Sequence, residues 1–170
     1  TMVYYDFKNG NPEVFKKEFE NAIWDRPEEA LSIPSGHTAM HIGTESSLKD
    51  AILRIIEEGK KEISFFPERE DAYDLLQNAA FYKVDDITDW MFSEKMEYTN
   101  KRDYFEKEIE VYLREPTGIS INNRLEERNT NALRMVLRRD YETTFGSHIE
   151  TAYPTIDKDH PEPVRKQYDR

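Results

Sequence analysis

Apolar side chains recur every three or four residues through the first hundred positions, a spacing typical of helices that bury one face. Asn11 followed by Pro12 is a favourable helix start, because Asn caps the free backbone N–H groups and Pro suits the first turn. Gly59 is a suitable residue for the end of a later helix. This spacing predicts helices over residues 11–24, 46–58, 67–82 and 85–92, with a loop at 25–43 and a short strand at 62–66.

After residue 100 the period changes from helical to alternating, which is typical of strands with one buried face. The alternation predicts strands over residues 105–113, 119–121, 133–138 and 148–153. Helices followed by strands imply an α+β fold, in which N-terminal helices precede a twisted antiparallel sheet. Residues 157–170 are almost free of apolar side chains, and we expect a disordered tail there.

Composition excludes several classes of protein. The chain has no cysteine, which removes disulfides, thiolate nucleophiles and cysteine zinc sites. No apolar run approaches the roughly 18 residues of a membrane span, so we expect a soluble protein without a membrane segment. The net charge of -11 by itself disfavours nucleic-acid binding. That charge is unevenly distributed along the sequence, however, and the basic segment at residues 116–139 is compatible with a local cationic site. The arginines of this segment are Arg124, Arg128, Arg134, Arg138 and Arg139.

Two histidines lie four residues apart in a glycine-flanked segment, Gly36-His37-Thr38 and His41-Ile42-Gly43. Imidazole suits acid/base chemistry near neutral pH. The flanking glycines disfavour a helix, and no Glu follows His37, so the metalloprotease pattern is absent. Two alternatives to acid/base chemistry remain for His37 and His41. One, less favoured, is a metal site completed by an acidic residue or by His148. The other is a structural role in which the rings are hydrogen-bonded to loop backbone.

The last predicted strand carries Thr151 and Tyr153, which alternation places on one face together with Ile149. The same alternation places His148 and Glu150 on the opposite face. A hydroxyl and a phenol could thus point together into a site, although both residues are also common in ordinary strands. Arg54 lies off the apolar stripe of its helix, where arginines are usually solvated, and the arginines of 124–139 could equally form a solvated face.

Together these segments resemble the bacterial ribonuclease A-like toxin domains found at the C-termini of contact-dependent growth inhibition proteins and other polymorphic toxins. The resemblance covers about residues 34–156, preceded by an N-terminal helical extension, 1–33, and followed by the tail, 157–170. It rests on the histidine segment, a helix bearing an arginine, and the two motifs that close the domain. These are Val136-Leu137-Arg138 and Thr151-Ala152-Tyr153-Pro154; the middle matches only in pattern, as at Ile87-Thr88-Asp89-Trp90-Met91.

The resemblance implies a kidney-shaped, disulfide-free ribonuclease A-like fold and RNA cleavage without a metal or other cofactor. It implies His41 as general acid/base, Arg54 as phosphate stabiliser, and Thr151 and Tyr153 as phosphate or substrate positioners. The histidines are one residue closer than is usual in the family, and the segment from His41 to Arg54 is about two residues longer. His37 could therefore exchange roles with His41. We further expect Arg124 and Arg138 to bind substrate.

As a toxin, the protein would be delivered as part of a larger bacterial protein and act on RNA, with tRNA as one candidate, in the cytoplasm of the target cell. A cognate immunity protein is then implied, and the acidic first hundred residues suggest a basic patch on it. The rival interpretation is a non-enzymatic acidic protein-binding module of a phage or secretion system. A degenerate toxin fold that has lost turnover is a third.

Overall fold

The computed structural model describes residues 5–32, 48–67 and 69–160, apart from the side chains of residues 69–71. Helices dominate the first half of the described chain. Asn11 caps the first of them, accepting a hydrogen bond from the Glu13 N–H through its side chain. The α-helices are α1 (Pro12–Asp25), α2 (Pro27–Leu31), α3 (Leu48–Glu58), α4 (Arg69–Tyr82), α5 (Val84–Met91) and α6 (Lys101–Phe105), with a 3-10 helix at Lys95–Glu97 between the last two.

The six described strands form two antiparallel sheets of three strands each. Sheet I has the order β1-β3-β4, and sheet II has the order β2-β5-β6. The strands are β1 (Glu62–Phe65), β2 (Glu106–Tyr112), β3 (Gly118–Asn122), β4 (Glu127–Thr130), β5 (Ala132–Arg139) and β6 (Ser147–Thr155). The predicted α+β fold, with helices preceding antiparallel strands, is confirmed. The strands, however, divide between two sheets where a single one was expected.

Sheet II packs against the N-terminal helices through a large core rich in aromatic side chains. Phe15 and Phe19 of α1 stack at 5.5 Å between ring centroids, and both rings meet Phe145 edge to face. Ile109, Leu133 and Ile149 supply the strand side of this core. Helices from the predicted N-terminal extension thus share a core with the strands that carry the predicted site.

Sheet I has its own small core, formed with α3. Ile63 and Phe65 of β1 pair in register with Ile121 and Ile119 of β3, and all four side chains face the helix. The opposite face of sheet I meets β6 of sheet II. The contact is close at Gly118, where an added Cβ would lie 2.7 Å from the Pro154 ring, so the backbone there accepts only glycine without displacement.

A buried arginine ties the end of α5 to sheet II. The Arg139 guanidinium lies 3.8 Å from the ring centroid of Tyr104 and 4.7 Å from that of Trp90. It donates hydrogen bonds to the carbonyl oxygens of Trp90, Met91 and Tyr104. Two of these carbonyls end α5, where a cation also favours the helix dipole. This arginine of the basic segment is therefore structural.

Some elements of the structure were not predicted from the sequence pattern. Helix α2 lies within the expected loop at 25–43, although Pro27 and the acidic Glu28 and Glu29 are typical of a first turn. Strand β4 was missed because Glu127–Thr130 holds no apolar residue and so shows no alternation. Residues 157–160, which open the predicted tail, form a turn in which the His160 ring stacks on Tyr112 at 3.7 Å. Among the described residues, no helix has the length and apolar character needed to cross a membrane.

Candidate functional site

A cleft of about 600 Å³ opens where the edge strands of the two sheets approach each other. Arg54 lines it from α3, while β1 and the short segment that precedes it contribute Lys60, Glu62, Ile63 and Ser64. Arg128 of β4 contributes from sheet I, while Tyr153, Thr155, Ile156 and Lys158 contribute from β6 and the segment that follows. The lining thus combines four cationic side chains with one carboxylate in a protein whose net charge is -11.

The polar face of sheet I forms one wall of the cleft because its other face is used by the small core. Ser64, Ser120 and Arg128 lie side by side across the three strands, in direct register. The Ser120 hydroxyl is buried and donates to a carboxylate oxygen of Glu62. One carboxylate of the cleft is thereby held on the sheet, whereas Arg128 remains exposed.

A bulge in β6 sets which side chains face the cleft. Leu137 pairs with Ile149, but Val136 pairs with Thr151, so Glu150 is an extra residue in β6. The bulge reverses the alternation that follows it. Ile149 is fully buried in the large core and does not share a face with Thr151 and Tyr153, so the expected grouping was wrong.

The same bulge places His148 on the face of Thr151 and Tyr153, not on the opposite face as simple alternation predicted. Directly paired residues lie on the same side of a sheet. His148 pairs with Arg138, which is exposed, and Tyr153 pairs with Arg134, which is half-buried. The imidazole of His148 lies between two carboxylates, with Nδ1 at 2.8 Å from Asp140 and Nε2 at 2.9 Å from Glu150. Both ring nitrogens are thus already engaged within the sheet.

The structure brings together two of the residues predicted as catalytic. Arg54 and Tyr153 line the same cleft although they lie 99 positions apart in the sequence. Thr151 lies two residues before Tyr153 on the same face of β6, but it is not among the residues lining the cleft. His37 and His41 lie outside the described residues.

The two arginines predicted to bind substrate lie elsewhere. Arg124 is in the turn between β3 and β4, where its backbone N–H donates to the side chain of Asn122. Arg138 lies on the solvent face of sheet II, 3.8 Å from a carboxylate oxygen of Glu106. Neither side chain lines the cleft. The cleft instead holds Lys60, Arg128 and Lys158, which sequence reasoning did not single out as site residues.

The cations differ in how they are neutralised. Arg54 lies 3.5 Å from Glu58, one helical turn later. Within the described part of the chain, no ion pair involves Lys60, Arg128 or Lys158. The carboxylate nearest Lys158 in sequence, Asp157, accepts from the Asp159 N–H and contacts the His160 ring. Three cationic groups of the cleft therefore lack a described acidic partner and are available for charge-assisted hydrogen bonds to an anion.

No group of three or more histidine and acidic side chains that could hold a metal occurs within residues 5–32, 48–67 and 69–160. The metal alternative for His37 and His41 involves residues outside those ranges, and His148 has both ring nitrogens on the carboxylates of Asp140 and Glu150.

Comparison with known proteins gives one solved structure of similar fold. No model of a protein family matches the chain, and neither does any curated protein sequence. The fold is similar to that of one chain in the crystal structure of the CdiA-CT/CdiI complex from Y. kristensenii 33638, with a TM-score of 0.57 and 21% sequence identity. The match covers 71% of this chain and 99% of that one. The protein thus shares its fold with a component of a CdiA-CT/CdiI complex.

Proposed function

We propose that this protein is a toxin ribonuclease of the contact-dependent growth inhibition type, which cleaves RNA without a metal by attack of a ribose 2′-OH on the adjacent phosphate. One observation carries the proposal: Arg54 and Tyr153, assigned to a phosphate site through separate motifs, converge on one cation-lined cleft. The fold shared with a chain of a CdiA-CT/CdiI complex supports the toxin part of the proposal.

The reaction needs three contributions from the protein. A base accepts the 2′-OH proton as the 2′-oxygen bonds to phosphorus, and an acid protonates the departing 5′-oxygen as its bond to phosphorus breaks. Positive charge must stabilise the phosphorane between these steps. The products are a 2′,3′-cyclic phosphate and a 5′-hydroxyl.

Arg54 is suited to the charged role because a guanidinium offers fixed positive charge and paired donors to phosphate oxygens. Its helix is held to β1 by the small core, so the side chain is presented from a packed element. The hydroxyls of Thr151 and Tyr153 would donate further hydrogen bonds to the phosphate, and the Tyr153 ring could stack on a base.

His41 is proposed as the general acid/base, with His37 as the second such group or as an alternative for the same role. His41 lies seven residues before Leu48, the first residue of α3. An extended chain spans roughly 3.3–3.6 Å per residue, so about 25 Å of reach is available from that point. Arg54 lies six residues after Leu48, roughly 9 Å along the axis of α3, so the chain is long enough for either histidine to come close to Arg54.

The deciding experiment is cleavage of total RNA and of tRNA by purified protein, with and without EDTA, together with His37→Ala, His41→Ala and Arg54→Gln. Losing one acid/base group lowers a rate by roughly 10²–10⁴-fold, and we expect His41→Ala to fall in that range. Removing one donor to a developing oxyanion costs about 10²–10³-fold, which we expect for Arg54→Gln. Circular dichroism and thermal unfolding of each variant provide the folding control.

Cleavage that survives EDTA, leaves a cyclic phosphate and disappears with one histidine is the expected result and names the essential histidine. Full cleavage by folded His37→Ala and His41→Ala proteins would contradict the proposed mechanism. Loss of cleavage on adding EDTA would indicate a metal-dependent nuclease instead. If no RNA is cut, the acidic binding module or a degenerate toxin fold becomes the better description.

A cognate immunity protein follows from the proposal, since a producing cell must survive its own toxin. The acidic first hundred residues favour a basic surface on that partner. Delivery as part of a larger bacterial protein, and action in the target-cell cytoplasm, belong to the same proposal.

A further inference from the structure

We propose that Lys60, Arg128 and Lys158 form a binding site for the phosphodiester backbone of single-stranded RNA next to the reacting phosphate. The inference rests on the proposed function for the identity of the strand, and on the cleft itself for the binding chemistry. It makes a polynucleotide, and not a mononucleotide or a dinucleotide, the preferred substrate.

The three cations reach the cleft from separate parts of the chain. Lys60 follows α3, Arg128 lies on the edge strand β4, and Lys158 follows β6. All three residues are exposed, and none has an ion pair within the described residues. A protein with net charge -11 could neutralise these cations internally, so their convergence without partners favours a ligand that brings its own negative charge.

The carboxylates around the cleft are engaged with other partners. Glu62 accepts a hydrogen bond from Ser120, and Glu58 pairs with Arg54. Asp157 is held by the Asp159 N–H and His160, and the hydrogen bond from Asp159 lowers the pKa of that carboxyl. The charge balance of the lining therefore remains positive, with four cationic residues to one acid.

The shape and the aromatic lining favour a single strand. A cleft of about 600 Å³ bordered by Tyr153 combines a positive groove with a ring on which a base can stack. This combination is the general mode of binding for single-stranded nucleic acids, in which bases stack on aromatic rings along a positively charged groove. Arg54 is assigned to the reacting phosphate, so the other cations are available for the backbone on either side of it.

The test measures binding apart from cleavage by using fluorescently labelled single-stranded DNA of about ten nucleotides, which lacks the 2′-OH and cannot react. Affinity is followed by anisotropy as a function of salt. Each phosphate contact contributes about −0.7 to the slope of log K against log salt for a single strand. We therefore expect Arg128→Gln and Lys158→Gln each to make the slope shallower by about 0.7.

Arg114→Gln is the matched control, because it removes the same charge from an exposed arginine that does not line the cleft. Its slope should match that of the unmodified protein. Glu62→Gln removes the one carboxylate of the lining, so we expect tighter binding. Equal effects of Arg114→Gln and Arg128→Gln would overturn the site, because overall charge alone would then explain both. Unchanged affinity and slope in Arg128→Gln and Lys158→Gln would overturn it as well.

Competition with inorganic phosphate and with a mononucleotide, at constant ionic strength, distinguishes an isolated phosphate site from a backbone site. We expect neither to displace the strand at concentrations where unlabelled single-stranded DNA does. Displacement by phosphate alone would reduce the proposal to a simple anion site and overturn the backbone assignment.

Cleavage assays separate the two proposals. On RNA, Arg128→Gln should raise KM and leave kcat nearly unchanged, because backbone contacts distant from the reaction bind substrate and transition state equally. If RNA is cleaved but substitution of the three cations changes neither binding nor KM, the proposed function stands and this inference is wrong. If binding depends on the cations but no RNA is cleaved, the inference stands and the proposed function is wrong.

Discussion

Cationic side chains occur both on the solvent face of sheet II and in the cleft between the sheets, but the two regions differ in whether these cations form ion pairs. On the solvent face of sheet II, Arg134 lies 2.8 Å from Glu108 and Arg138 lies 3.8 Å from Glu106, in each case a carboxylate of the neighbouring strand. The hydrogen bond to Glu108 raises the pKa of Arg134 above its ordinary value. In the cleft, Lys60, Arg128 and Lys158 have no such partner among the described residues.

The difference shows that the surroundings of a cation, more than its residue type, indicate its role. A paired and exposed arginine contributes little to stability. A cation without a partner on a concave surface is available to an anion. Arg139 shows a third environment: it is buried, and its role is structural.

The largest effect we expect comes from contrasting Arg139→Met with Arg138→Met, two neighbours on β5. Arg139→Met removes the buried guanidinium that donates to the carbonyl oxygens of Trp90, Met91 and Tyr104, and we expect a loss of about 2–4 kcal/mol in the free energy of unfolding. Arg138→Met removes an exposed pair and should cost less than about 1 kcal/mol. Urea denaturation measures both, and equal losses would contradict the distinction between buried and exposed arginines.

A smaller effect is expected from the hydroxyls of β6. Tyr153→Phe and Thr151→Val keep the strand but remove donors proposed to contact the phosphate, and a hydrogen bond to a charged group corresponds to roughly 10- to 100-fold in rate. The measured quantity is kcat for RNA cleavage. Thr155→Val is the control, because Thr155 lines the cleft on the same face of the strand but has no proposed role. Activity lost equally in all three variants would point to strand distortion.

The smallest effect concerns the turn that presents Lys158. The backbone hydrogen bond from Asp159 lowers the pKa of Asp157 below its ordinary value of 3.8, so the ionised carboxylate is favoured in the folded state. The contribution to the turn is therefore present above that value and is lost as the pH falls below it. NMR shifts of the Asn131 side-chain amide, which donates to the Asp157 carbonyl oxygen, should change over this acid range.

Asp157→Asn is the matched variant for the turn. It cannot titrate, so its Asn131 amide signal should stay constant over the same range. A transition of equal size in this variant would show that a group other than Asp157 causes the change.

Local pattern was sufficient for most elements of this chain. The helix at residues 11–24 was predicted from its cap and stripe, and the structure has it at Pro12–Asp25. The helix predicted to end at Glu58, just before Gly59, ends there, and Gly59 adopts a φ of 66°. Such features depend on a few neighbouring residues, whose propensities and burial follow a period of 3.6 or 2.

Pattern failed where pairing between distant segments controls the outcome. The bulge at Glu150 reversed the faces assigned to Ile149 and His148, because register depends on the partner strand β5 and not on the alternation within β6. Strand β4 has no apolar residue and exists through its pairing with β3.

The candidate site shows the same division. The sequence contained the types of residue that phosphate chemistry needs, and the resemblance of its motifs to a toxin family implied roles for Arg54 and Tyr153. It could not show that these two residues line one cleft, nor that Lys60, Arg128 and Lys158 line it with them while Arg138 is paired with Glu106. The physical reason is that charge pairing depends on distance in space. The packing of one face of sheet I against β6 of sheet II brings together residues almost a hundred positions apart. That arrangement cannot be deduced from any local property of the chain.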